Sequence, residues 1–286
     1  MVGRRRRVLR RALAAGLLVV AAALPAAAPA SPVTSTTLKV LQLNLCNSGR
    51  AGCYTGRAVP RAAEVIRAEA PQLVSLNEIC QGDVPELGRM FAWVHRGGTV
   101  VAEFRAADDR PSRGVTRCRD GQPYGIGLLV RLPVPHRGHT VHSGIYPVQD
   151  LADPELRAWL CVHVPDVVNA CTTHLAAFSA STALAQCRHL FDAVVPAVLG
   201  RAGHAPTVLG GDLNLRAGGS PDLRSCVPPD RPRVDDGSVQ QIVATAGVTV
   251  GAGRSVSMRD ATDHPGLLAT LTIDHGRPPP VRRPRP

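Results

Sequence analysis

Seven polar side chains stand where apolar runs end. Asn44 comes near the close of the alternating run 38–45, Glu78 near the close of 73–79, and His174 at the end of 167–174. Asp212 and Asn214 follow Thr207-Val-Leu-Gly-Gly, while Asp263 and His264 precede Pro265. Carboxylates and amide oxygens are the hard ligands that magnesium or calcium prefers. Histidine moves protons near neutral pH and also contacts phosphate. Hydrolysis of a phosphodiester needs this inventory: a cation for the phosphate oxygens, a base for water, and donors for the charge that builds in the transition state. Each residue alone has a plainer reading. Asn44 could cap a turn, Glu78 could be a solvated strand end, His174 a satisfied core histidine, and Asp263 a turn cap before proline. Five recurrences in the same local context make chemistry the stronger reading.

The elements that must position these groups are legible as periodicities. Runs 38–45, 73–79, 124–130, 139–146, 207–212, 238–244, 248–250 and 266–273 read as strands, with a further one around Trp93. Segments 159–164 and 167–174 read as a hairpin about Pro165-Asp166. Helical spacing predicts 59–70, 84–91 and 182–199, the last bent near Pro196. Segment 97–123 has no clear period and is expected to be a long surface excursion. Roughly ten strands and few helices suit two stacked sheets flanked by helices. In the stretch around Asp212, strand alternation would turn Asp212 and Asn214 to one side and Leu213 to the other. Gly210 and Gly211 would let a ligand or another backbone approach closely.

The five motifs Leu43-Asn44-Leu45, Leu76-Asn77-Glu78, Thr173-His174-Leu175, Gly211-Asp212-Leu213-Asn214 and Thr262-Asp263-His264-Pro265 occur in an order and spacing that resembles the endonuclease/exonuclease/phosphatase superfamily. The match runs from about Leu38 to Ile273. The resemblance implies a four-layer α/β/β/α sandwich of two stacked mixed β-sheets, with the site at one edge. It implies Glu78 as principal metal ligand with Asn44 and Asp263 nearby, for Mg2+ or alternatively Ca2+ or Mn2+. Asp212 and Asn214 would orient the attacking water or a second cation, and His174 and His264 would contact the phosphate and move protons. Histidine at the Thr-His-Leu motif is closer to the deoxyribonuclease and sphingomyelinase branches than to the abasic-site branch. One position departs from the pattern. Gln240 stands where the family carries a strand aspartate that orients the final histidine, so Asp235 or Asp236 would have to substitute, or activity would be low or specialised.

The remaining sequence bounds the setting. Residues 1–30 combine six arginines, an apolar run and Ala28-Pro29-Ala30, as in a cleaved export signal. Residues 31–37 read as a linker, 38–275 as one domain and 276–286 as a disordered Arg/Pro tail. Of the net charge of +11, the leader's six arginines and the tail's four account for all but about +1, so a basic nucleic-acid groove is not demanded. Aromatics are 3% of the chain, too few to announce a base-stacking platform. Eight cysteines without a Cys-x-x-Cys pair favour disulfides over structural zinc. Proximity and hairpin geometry suggest Cys46 with Cys53 and Cys161 with Cys171, with Cys80–Cys118 and Cys187–Cys226 as one arrangement of the rest. The sequence lacks a Gly-x-Ser-x-Gly elbow, a His-Glu-x-x-His zinc motif and a phosphate loop ending in Gly-Lys. The expectation is a secreted, monomeric, cation-dependent phosphodiesterase without a membrane span after signal cleavage, acting on nucleic acid or phospholipid. The alternatives are a sphingomyelinase-like hydrolase and a non-catalytic binding protein on the same scaffold.

Overall fold

The computed structural model describes residues 35–96, 98–132, 138–165, 167–201 and 205–274. The expected export signal and tail lie outside the described residues. Strand β1 (Ser35–Asn44) is followed by α1 (Ala58–Glu69), β2 (Leu73–Cys80), α2 (Asp83–Val94) and β3 (Thr99–Ala106). Then come the two-residue strands β4 (Asp108–Asp109) and β5 (Gly114–Val115), and β6 (Tyr124–Leu132), β7 (Thr140–Ile145), β8 (Glu155–Leu156), β9 (Ala158–Val164) and β10 (Val168–His174). Helix α3 (Ala180–His189), a π-helical turn (Leu190–Val194) and α4 (Val195–Arg201) precede β11 (Thr207–Asp212). The chain finishes through β12 (Arg233–Asp235), β13 (Gln240–Ala244), β14 (Val248–Val250), β15 (Arg254–Val256) and β16 (Gly266–Asp274).

One sheet has the order β14-β16-β1-β2-β6-β3, with β15 also on β16; the second is β12-β13-β11-β10-β9-β7; a small third is β5-β4-β8. Alternation along the strands builds the layers. In β1, Leu38 and Val40 join the cluster between the two large sheets, while Leu41 and Leu43 pack with Ala62, Ile66, Leu87 and Phe91 of α1 and α2. In β11, Val208 faces the inter-sheet cluster and Leu209 packs with Leu190, Phe191 and Val194 beneath the second sheet. The result is the expected four-layer α/β/β/α sandwich.

Several local expectations change. The linker is shorter, because Ser35, Thr36 and Thr37 pair with Asp274, Ile273 and Thr272 of β16. Trp93 lies in α2, not in a strand. Residues 97–123 are not an irregular excursion, since β3 pairs along its whole length with β6 at the sheet edge. An edge strand needs only one apolar face, and Thr99–Ala106 is mostly half-exposed, which blurs its period. The long helix expected at 182–199 starts at Ala180, and the Val195 amide donates to the Leu190 carbonyl five residues back. That wider turn comes directly before Pro196, whose missing N–H would otherwise break the ladder. All four disulfides join the suggested partners: Cys46–Cys53, Cys80–Cys118, Cys161–Cys171 and Cys187–Cys226. Cys161 and Cys171 stand opposite each other in the β9–β10 register.

Gly210 marks where the large sheets come closest. A Cβ there would sit 2.7 Å from Ser75 Cβ and 3.2 Å from Gln42 Oε1, both on the facing sheet. The space the two glycines open is filled by protein: Gly211 is likewise held against the Thr173 carbonyl, 2.6 Å from where its Cβ would be. Gly210→Ala is therefore expected to force the sheets apart and destabilise the fold by about 1–3 kcal/mol, read as a lower urea midpoint; an unchanged midpoint would mean the sheets are not in contact there.

Candidate active site

The four parallel-paired central strands run the same course along the inter-sheet face, from apolar to polar. Leu38 and Val40 lead to Gln42 and Asn44 in β1; Leu73 leads to Ser75 and Asn77 in β2. Val168 and Ala170 lead to Thr172 and His174 in β10, and Val208 leads to Gly210 and Asp212 in β11. Register puts Asn44 beside Asn77, and His174 beside Asp212. Packing thus turns four separate motifs into one polar rim.

Glu78 reaches the rim through an irregularity. The β2–β6 register shifts between Leu76 and Ile79, and Glu78 has φ 55°. A bulge of this kind re-aims a side chain that simple alternation would bury. Asp212 and Asn214 do not share a strand face. β11 ends at Asp212, Asn214 has φ 49°, and its amide donates to Asp212 Oδ1 at 3.1 Å. This is a turn closed by the aspartate's own carboxylate, a competitor of strand continuation wherever Asp precedes Asn by two. Asn214 then donates its Nδ2 to the Leu175 carbonyl at 2.9 Å, tying its loop to the one after His174.

The rim is tightly connected. Asn44 Nδ2 donates to both Glu78 Oε1 at 2.9 Å and Asp212 Oδ2 at 3.1 Å. His174 Nε2 lies 3.9 Å from Glu78 Oε1, and His264 Nε2 lies 3.7 Å from Asp212 Oδ2 and 3.9 Å from Asp263 Oδ1. Thr262 fastens the last motif to the first by donating to the Asn44 carbonyl at 3.1 Å. Asn44 and Asp212 are 1% exposed, His174 is 5% exposed, and the His264 side chain is 26% exposed, so the site grades from closed floor to open rim. Burial raises the Glu78 pKa, offset in part by the Asn44 hydrogen bond, and the Asp212 and Asp263 carboxylates add to the rise. Burial, then the Arg157 charge and His264, hold the His174 imidazole well below its usual range.

The substitute expected for the family's strand aspartate is neither Asp235 nor Asp236. Asp235 accepts from the Gly237 amide and Asp236 from those of Ser238 and Gln240. Gln240 itself bonds Asp212 Oδ2 at 2.7 Å, and it is Asp212 whose carboxylate faces His264. Sequence reading also passed over Gln42, Asn77 and Arg157. The first two share strand parity with Asn44 and with Ser75, a signal that alternation alone contained. Arg157 follows Asp153-Pro-Glu-Leu in a segment whose charges have no period.

The donor set suits a hard divalent cation. Glu78, Asp212 and Asp263 are oxygen ligands whose mutual repulsion a cation would relieve. They do not form a closed cage: among the described residues, the groups of three ligand atoms within 4.8 Å are Cys46/Cys53/Asp263 and Cys80/Cys118/Asp120, and both use disulfide sulfurs. Magnesium is commonly held by one or two carboxylates plus water and substrate phosphate, which is the kind of site present here. Beside the rim, a cavity of about 580 Å³ is lined by Asn47, Tyr54, Asp83, Glu86, Arg119 and Asp120 among others. Its wall adjoins the site through the Asn47 amide, which donates to the Glu78 carbonyl at 2.8 Å.

No family model matches the sequence, and no curated protein matches it. Solved structures do. An endonuclease/exonuclease/phosphatase protein from Beutenbergia cavernae is 21% identical, with TM-score 0.58, over 83% of this chain and 72% of the other. ANGEL2, a 2',3'-cyclic phosphatase, is 14% identical, with TM-score 0.59, over 84% and 96%. A Bacteroides thetaiotaomicron mannosyl-6-phosphatase is 13% identical, with TM-score 0.57, over 82% and 99%. The chain has the endonuclease/exonuclease/phosphatase fold.

Glu78 gives a test that needs no substrate. A carboxylate whose folded pKa lies above its unfolded value holds its proton longer in the folded state, so stability falls as pH rises through the interval between the two and stays lower above it. Without metal, Glu78→Gln is expected to raise the melting temperature at neutral pH and not at pH 3. Magnesium or manganese is expected to raise the melting temperature of the unaltered chain more than that of Glu78→Gln. Equal metal shifts in the two proteins would remove Glu78 from the ligand set.

Proposed function

We propose that this chain is a secreted, divalent-cation-dependent phosphoesterase that cleaves a phosphodiester with nuclease-like chemistry. The observation that carries this reading is the meeting of Asn44, Glu78, His174, Asp212, Asp263 and His264 at one rim, linked by contacts of 2.9 to 3.9 Å. Glu78 and Asp263 would hold the cation, Mg2+ or else Ca2+ or Mn2+, with Asn44 beside them. Bound there, it would neutralise phosphate oxygens and stabilise the charge developing on them. Asp212, gripped by Asn44, Gln240 and the Asn214 amide, and Asn214 itself orient the attacking water. His174 contacts the phosphate from the buried side. His264, at the open edge, exchanges protons with solvent and delivers one to the leaving oxygen.

Secretion is supported by the leader-like residues 1–30 and by four disulfides, which persist in oxidising compartments. Among the described residues no helix is long and apolar enough to cross a membrane. A phospholipid substrate is the second reading, favoured by the acidic cavity. Asp83, Glu86 and Asp120 outnumber Arg119 there, with Tyr54 alongside, a lining that suits a cationic head group better than a polyanion.

Hydrolysis of bis-p-nitrophenyl phosphate in magnesium is the direct assay. EDTA is expected to abolish it, and Glu78→Ala and His264→Ala are each expected to lower kcat by roughly 10²–10⁴-fold. Activity that survives chelation and both substitutions would rule out this mechanism, and a folded chain with no turnover would favour the binding protein. Plasmid DNA, RNA and sphingomyelin liposomes, compared in magnesium and calcium, separate the substrate classes.

A further inference from the structure

Behind His174 lies a buried ionic group that the proposed chemistry does not use. Arg157, between β8 and β9, is 4% exposed. Its Nη2 donates to Asp153 Oδ2 at 2.8 Å, and Nη1 lies 3.5 Å from Glu155 Oε1. With Asp153 itself 5% exposed, the guanidinium is anchored from the side away from the rim. On the rim side, Nη1 meets His174 Nδ1 at 2.9 Å.

A guanidinium has five N–H donors and no acceptor. Nδ1 must therefore be the unprotonated, accepting nitrogen, and the imidazole proton sits on Nε2, the atom 3.9 Å from Glu78 Oε1. A proton on Nδ1 would set N–H against N–H across a buried contact and add a second positive charge beside a guanidinium fixed by two carboxylates. We propose that Arg157 is a positioning residue that holds His174 as the neutral Nε2–H tautomer, making His174 a fixed hydrogen-bond donor to a phosphate oxygen and leaving proton transfer to His264. This rests on the phosphoesterase reading for the identity of the acceptor, whereas the tautomer rests on the guanidinium alone. The two histidines thereby differ in kind: one is locked from behind and buried, the other stands at the rim facing carboxylates.

Long-range ¹H–¹⁵N correlation of the imidazoles tests this without turnover, with His174→Asn identifying the signals. The unaltered chain at neutral pH is expected to show His174 with Nδ1 as an acceptor nitrogen and Nε2 as N–H. Arg157→Met keeps the stem without a donor and is expected to lose that pattern, while Arg157→Lys keeps a donor and retains it. With bis-p-nitrophenyl phosphate, Arg157→Met should lower kcat by about tenfold to a hundredfold with little change in KM, and Arg157→Lys should recover most of it. A proton on Nδ1 in the unaltered chain, or an unchanged pattern in Arg157→Met, overturns the assignment. Should Arg157→Met fail to fold because Asp153 is left unpaired, the unaltered chain and Arg157→Lys still decide it. A chain that turns over no phosphoester counts against the phosphoesterase reading, and the imidazole spectrum then judges Arg157 separately.

Discussion

The structure depends on a seam of buried polar side chains that joins the two large sheets beneath the site. Asn77 is its hub. Asn77 Oδ1 accepts from Gln42 Nε2 at 2.7 Å and from the Asp212 amide at 2.8 Å, and its Nδ2 donates across the gap to the Thr173 carbonyl at 3.0 Å. Ser75 donates to the Gly210 carbonyl at 2.9 Å, and Gln42 bridges to Gln240 Oε1 at 3.0 Å. Polar groups sealed between sheets are costly unless paired, and a pairing this specific is met in one register. Apolar packing at the other end of the sandwich holds the sheets together. The seam determines how they are aligned, and so whether Glu78 and Asp212 arrive at the same amide.

That alignment has electrostatic consequences. Three carboxylates converge where Asn44 and Gln240 supply donors but few positive charges, and the Glu78 carboxyl is pushed up as a result. The compensating cation within the protein, Arg157, stands behind His174 and not among the acids. It is spent on Asp153 and Glu155, whose carboxyl burial pushes up to about 7. The open side of the rim is thus left electronegative toward an incoming cation.

The disulfides reinforce the same region. Cys46 and Cys80 each lie two residues beyond a rim side chain, Asn44 and Glu78, and their bridges to Cys53 and Cys118 hold the loops that follow. Cys46 also donates its amide to Asn44 Oδ1 at 3.1 Å, which turns the Asn44 amino group toward the two carboxylates. Loops carrying bridges this close to a site lose conformational freedom that positioning would otherwise have to oppose.

Much of this was legible in the chain itself. Period-two alternation located the ten strands of five residues or more, and the apolar stripes located the helices, because burial of one face leaves a mark at every second or every third to fourth position. The motif order pointed to the fold and named the six side chains that meet. Strands of two or three residues left no period, and edge strand β3 was half-exposed on both sides, so neither could be read. Three things were settled only in three dimensions. The bulge at Glu78 and the turn at Asn214 depend on left-handed backbone that neighbours must enforce. Gln240 turned out to serve Asp212 and not His264, because strand order sets β13 beside β11. Arg157 acquired its partner because β9 and β10 lie side by side, bringing residues 17 apart to one hydrogen bond. Local patterns record which face of an element is buried; which distant side chain completes a donor or a charge is decided by packing between elements, and a linear chain does not encode that locally.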